Sequence, residues 1–137
     1  MQNVSDLESL DTNTLKLLLK DAMDKKREIA QGDFLKFVKE VWPDFIEGKH
    51  HKIYAEKLNR IANGELKRLI VNMPPRHTKS EFASNLFPAF YMGRHPKAKL
   101  IQTTHTGELA IRFGRKAKNM IESSEYEKVF PEVTLAA

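Results

Sequence analysis

Apolar residues between Thr12 and Ala30 recur at helical spacing, at Leu15, Leu18, Leu19, Ala22, Met23 and Ile29. That spacing sets them along one side of a helix, and Asp11 stands where a carboxylate caps the first turn. A second, shorter helix is predicted from a cap at Asp33 through Phe34, Phe37, Val38 and Val41 to Trp42. Pro43 ends it, because a proline ring disfavours helical backbone in the residue before it. A third covers about His50 to Ala62 and stops at Asn63-Gly64, where glycine accepts a left-handed turn. The period then changes. Leu69-Ile70-Val71, led in by Lys67-Arg68 and ended by Asn72, is a short apolar run with β-branched residues, the pattern of a buried strand. A helix from about Ser80 to Met92 follows, with Phe82, Leu86 and Phe90 on one face and a kink expected at Pro88. Lys99 to Thr104 predicts a second strand, and Gly107 to Glu122 a long helix with Leu109, Phe113, Ala117, Met120 and Ile121 facing inward. Strand, loop, helix, strand, helix is the order of an α/β fold built on a parallel sheet.

The composition narrows the class. A chain of 137 residues has room for one compact domain. Without cysteine it can build neither a disulfide framework nor a cysteine-based zinc site. The polar start Met1-Gln2-Asn3-Val4-Ser5 has no apolar signal region behind it, and no apolar run approaches the roughly 20 residues of a membrane-spanning helix; a cytosolic protein is expected. The net charge of +5 suits a polyanionic partner, since clustered Lys and Arg gain affinity by releasing counterions from phosphates, and equally suits simple solubility.

The segment with most chemistry is Pro74-Pro75-Arg76-His77-Thr78-Lys79-Ser80. A predicted strand feeds a loop that ends in Lys-Ser and opens a helix, the context in which backbone N–H groups and a helix amino terminus hold a triphosphate. Lys79 would reach the β and γ phosphates as a point charge, and the hydroxyl of Ser80 would ligate the bridging magnesium. The consensus phosphate loop has two glycines where this chain has Met73 and Thr78. Thr78 is the larger departure, because a β-branched residue resists positive φ and puts a side chain where backbone should approach phosphate.

Arg68 to Glu81, read as Arg-Leu-Ile-Val-Asn-Met-Pro-Pro-Arg-His-Thr-Lys-Ser-Glu, resembles the deviant Walker A strand and loop of bacteriophage large terminase subunits, which commonly read Pro-Pro-Arg-His-Gly-Lys-Ser. Phe37-Val38 with Trp42-Pro43, the pair His50-His51 and Gly64 to Arg68 are similar to that family's lead-in. Thr103-Thr104-His105-Thr106, Leu109-Ala110 and Phe113-Gly114-Arg115 are similar to its second strand and following helix. The resemblance covers roughly residues 33 to 131. It implies an amino-terminal helical lead-in over 1–48 and, over 49–137, the first half of a P-loop ATPase domain of the additional-strand class, with an incomplete parallel sheet. It also implies an ATP-binding portion of a motor whose complete form drives double-stranded DNA into a procapsid and cuts concatemeric DNA. ATP and Mg2+ are the implied cofactors, held by Pro75, Arg76, His77, Thr78, Lys79 and Ser80, with Ser80 on the metal. Arg76 matches the family's catalytic arginine, proposed to sense or stabilise the γ phosphate; a guanidinium there neutralises charge developing in phosphoryl transfer. The implied partners are double-stranded DNA, a portal protein, a small terminase subunit and further copies of the chain, in the cytoplasm of a phage's host.

Other features are weaker. His50 and His51 point about 100° apart on a helix and do not readily ligate one metal together, so a helix-end or packing role is expected, with a contact near the adenine as the alternative. Arg112, Arg115 and Lys116 form a basic helix face, either a DNA contact or a solvated surface. Phe34, Phe37, Phe82, Phe87, Phe90 and Phe113 are assigned to core packing and not to base stacking. No strand carrying a magnesium-binding acid or water-orienting carboxylate follows the second strand, so the chain is expected to be part of a longer polypeptide. A helicase-like P-loop motor and a non-catalytic basic DNA-binding or assembly module are the alternatives.

Overall fold

The computed structural model describes residues 11–135; the beginning of the predicted lead-in, residues 1–10, lies outside the described residues. Helix α1 spans Thr12–Gly32, α2 Phe34–Val41 and α3 Lys49–Ala62. A π-helical stretch, Glu81–Leu86, runs directly into α4, Phe87–Arg94, and α5 covers Gly107–Ile121 and α6 Ser124–Val129. Local chemistry explains most ends. Asp11 caps α1 by accepting from the Asn13 N–H, and Asp33 caps α2 by accepting from the Lys36 N–H. Thr106 caps α5 and Ser123 caps α6 in the same way. After α3, Gly64 is left-handed at φ 78°, which lets the N–H groups of Glu65 and Leu66 return to the Arg60 carbonyl at 2.9 and 3.1 Å.

The expected α/β architecture is overturned. Among the described residues there is no strand, and the two segments predicted as strands carry no regular structure. β-Propensity measures how well a side chain fits a pleated, half-buried surface, and parallel strands persist where both faces are covered. Leu69, Val71 and Met73 lean on the core, but Ile70 and Ile101 are 87% and 93% exposed. Nothing among the described residues supplies a covering layer, so the incomplete parallel sheet of a P-loop NTPase is absent and the frame is helical.

Helix α2 is the hub, packing against α1, α3, α4 and α6. Its inward residues Phe34, Phe37, Val38 and Val41 are all buried. Phe34 meets Phe82 edge-on at 5.2 Å and Phe90 at 5.5 Å, while Phe37 meets Phe90, Tyr126 and Phe130 at 5.3, 6.0 and 5.9 Å. Core side chains come from both sides of residue 48. Phe87 packs against this cluster, whereas Phe113 is half-buried and outside it. The apolar stripe of α1 remains largely in solvent, with Leu18, Leu19, Met23 and Ile29 exposed and Ala30 buried. The π-helical stretch precedes Pro88, whose ring would clash with the carbonyl of Ser84 in a regular helix. Here the Phe87 N–H returns to the Phe82 carbonyl five residues back, and the Ser84 carbonyl accepts from Gln102 Nε2 at 3.4 Å.

Two contacts close the far end of the core. The buried Tyr126 hydroxyl donates to the Ala89 carbonyl at 2.9 Å, and Gly93 lies so near Phe130 that a Cβ would stand 2.6 Å from its ring. Tyr126→Phe is expected to cost about 1 kcal/mol, the worth of one buried hydrogen bond. Gly93→Ala is expected to cost about 1–3 kcal/mol, because the buried ring must shift. Urea denaturation midpoints check both, and an unchanged midpoint for Gly93→Ala would contradict this packing.

Candidate functional site

Lys79 and Ser80 are the first helical residues ahead of the π-helical stretch, so the first backbone N–H groups there lack intrahelical acceptors. The Phe82 N–H is the first to turn back, to the Thr78 carbonyl at 2.9 Å. Pro74, Pro75, Arg76, Thr78, Lys79, Ser80 and Glu81 line a cleft of about 560 Å³. The cleft also takes in two residues from elsewhere in the chain, Trp42 just after α2 and Lys116 on α5. His77 is not among its walls: its ring turns back, Nδ1–H donating to the Pro75 carbonyl at 2.8 Å. Three cations, Arg76, Lys79 and Lys116, thus face one anion, Glu81.

Lys79 folds across the loop, its Nζ donating to the Met73 carbonyl at 3.4 Å. Lys116 Nζ lies 3.1 Å from Glu81 Oε2, which neutralises the carboxylate nearest the helix start. Of the basic helix face anticipated on α5, only Lys116 is turned to this cleft; Arg112 and Arg115 are exposed and make no salt bridge among the described residues. The backbone is left-handed at two non-glycine positions, Arg76 at φ 65° and Thr78 at φ 58°. The His77-to-Pro75 bond spans Arg76 and closes the turn around it.

His51, expected in a helix-end or packing role, is buried and also touches the loop at Thr78. Its Nδ1 accepts from the Gly48 N–H at 2.9 Å and its Nε2 lies 2.6 Å from Thr78 Oγ1. The ring packs against Phe45 and Phe82 at 4.8 and 5.3 Å, with His50 beside it at 3.8 Å. Glu47, next to Gly48, bonds to Lys39 of α2 and Lys52 of α3. Those bonds, Lys39 first, hold its carboxyl down at about 2. Burial, reinforced by the neighbouring His50, pushes the His51 pKa below its ordinary value. Among the described residues no group of three or more His, Asp or Glu side chains is arranged to hold a metal ion. No described helix is long and apolar enough to cross a membrane. Comparison with protein-family models, curated proteins and solved structures found no match.

The His51 shift sets a pH dependence. Its folded pKa lies below the unfolded value of 6.5, so the folded chain prefers the neutral ring. The resulting stability is complete above pH 6.5 and is lost as the pH falls below it through the folded pKa. His51→Gln is expected to remove this part of the acid sensitivity, leaving that of the carboxylates. Denaturation midpoints of parent and variant between pH 7.5 and pH 5, on the order of the histidine titration range, measure the difference; identical slopes would rule the contribution out.

Proposed function

We propose that this chain binds ATP with Mg2+ through the loop 74–80, as the nucleotide-binding part of a large terminase subunit. The observation that carries this is the cleft itself: Arg76, Lys79 and Ser80 stand at a helix start, joined by Lys116, with the loop turned by two left-handed residues. Phosphate binding needs orphan amides and cations facing one space, and a helical frame supplies both without a sheet. The donor set fits the cofactor chemically. Lys79 and Arg76 suit phosphate oxygens, and the Ser80 hydroxyl is a hard oxygen ligand of the kind magnesium prefers. When bound, magnesium would supply neutralisation of the phosphate charge. Lys79 would exchange the Met73 carbonyl for a phosphate, a stronger, charge-assisted partner. Arg76 would act on the γ phosphate, where charge develops during transfer. Coupling to movement of double-stranded DNA follows from the sequence resemblance, with Arg112 and Arg115 as the exposed cations available to a phosphate backbone.

Lys79→Ala is expected to weaken MgATP binding at least about tenfold, equivalent to roughly 1.4 kcal/mol, measured by titration calorimetry on the chain. Equal affinity in parent and variant would remove the assignment and leave the basic-module alternative. In the assembled motor, Arg76→Ala is expected to lower the hydrolysis rate by a larger factor than it raises the dissociation constant, since the guanidinium acts mainly on transition-state charge. A loss confined to the dissociation constant would reduce Arg76 to a ground-state phosphate contact.

A further inference from the structure

Thr78 occupies the position where the loop consensus calls for glycine, and it does so in the left-handed conformation, at φ 58°. For a β-branched residue that costs on the order of 1–2 kcal/mol, so something in the tertiary structure must hold it. His51 is the side chain in place to do so. A backbone N–H can only donate, so the 2.9 Å contact from Gly48 N makes His51 Nδ1 an acceptor, without a proton. The neutral ring then carries its proton on Nε2, which donates to Thr78 Oγ1 at 2.6 Å. The threonine hydroxyl in turn donates to the His77 carbonyl, also at 2.6 Å. The result is a continuous chain of donors, Gly48 N–H to His51, His51 to Thr78, Thr78 to His77, running from the start of α3 into the phosphate loop.

We propose that His51 is the positioning residue of this loop, acting through the Thr78 hydroxyl to fix the left-handed turn that aims Lys79 and Ser80 into the cleft. The ring is suited to this. It is 6% exposed, packed against Phe45 and Phe82 in one three-ring cluster, and its tautomer is set by backbone. A glycine at position 78 would reach the same φ freely but could accept no bond from α3. The threonine therefore exchanges backbone freedom for a tie to the core. In the structure the latch is independent of any ligand; its consequence for ATP rests on the phosphate-binding function proposed above.

The test combines a spectroscopic signature with graded variants. Nitrogen-15 spectra of the parent chain at pH 7.5 are expected to show Nδ1 of His51 unprotonated and Nε2 protonated. Thr78→Val, which removes only the hydroxyl's bonding, should shift the Lys79 and Ser80 amide resonances and raise the MgATP dissociation constant about tenfold, the equivalent of one lost hydrogen bond in a part-buried pair. Thr78→Ser keeps the hydroxyl and should stay within about threefold of the parent. His51→Gln, which can present an acceptor to Gly48 and a donor to Thr78, should lie nearer Thr78→Ser than Thr78→Val. A parent His51 protonated on Nδ1, or a Thr78→Val chain with unmoved Lys79 and Ser80 amides, overturns the proposal. If the parent binds no MgATP, the nucleotide function fails while the tautomer and amide shifts still decide the latch.

Discussion

The burial of Phe82 is the constraint on which the candidate site depends. Its ring meets Phe34 at 5.2 Å, His51 at 5.3 Å, Phe45 at 5.6 Å and Tyr54 at 5.7 Å. Burying such a side chain is worth about 1.5–3 kcal/mol. Phe82 lies three residues beyond Lys79, less than one helical turn, so the helix start cannot swing away without drawing the ring out of the core. The same ring is a wall of the pocket that holds His51. One buried aromatic therefore fixes both the helix that opens the cleft and the imidazole that steadies the loop.

Polar contacts then set angles that apolar packing leaves free. Asp33 caps α2 with one carboxylate oxygen and accepts from Asn59 Nδ2 with the other at 2.8 Å, while Asn59 Oδ1 accepts from the Phe34 N–H at 2.7 Å. This reciprocal set ties the start of α2 to the last turn of α3. Glu47, bound by Lys39 and Lys52, holds the segment before Gly48 against both helices. Exposed ion pairs contribute little to stability; here their value is orientation, because the Gly48 N–H must face the His51 ring. The loop can then hold two left-handed residues whose conformations would be unfavourable in isolation.

The electrostatics of the cleft follow from the same arrangement. Helix α5 packs on the π-helical stretch and brings Lys116 to Glu81, so the one carboxylate near the helix start already has a counter-charge. An arriving phosphate group would meet Arg76 and Lys79 without repulsion from an unpaired Glu81. Asn85, in the same stretch, is buried with no side-chain hydrogen-bond partner among the described residues; no contact in the structure accounts for it.

What the sequence determined by itself was local. Asp11, Asp33, the Asn63-Gly64 stop and the three-to-four spacing of apolar residues specify helices through bonds and faces within a few residues, and those helices formed where the pattern put them. The short α6 was not anticipated: Ser123 caps it and Glu125 and Glu127 stand in its first turn, but six residues leave little periodicity to read. The strands expected at 69–71 and 99–104 did not form because a strand is defined by its neighbours, and a β-branched run carries no information about whether a pairing partner lies beside it. The loop with Lys79 and Ser80 could be picked out from consecutive residues alone. Its supports could not. His51 meets Thr78 across 27 positions and Lys116 meets Glu81 across 35, and whether such distant groups touch is decided only when the aromatic core closes and fixes α3 and α5 on either side of the loop.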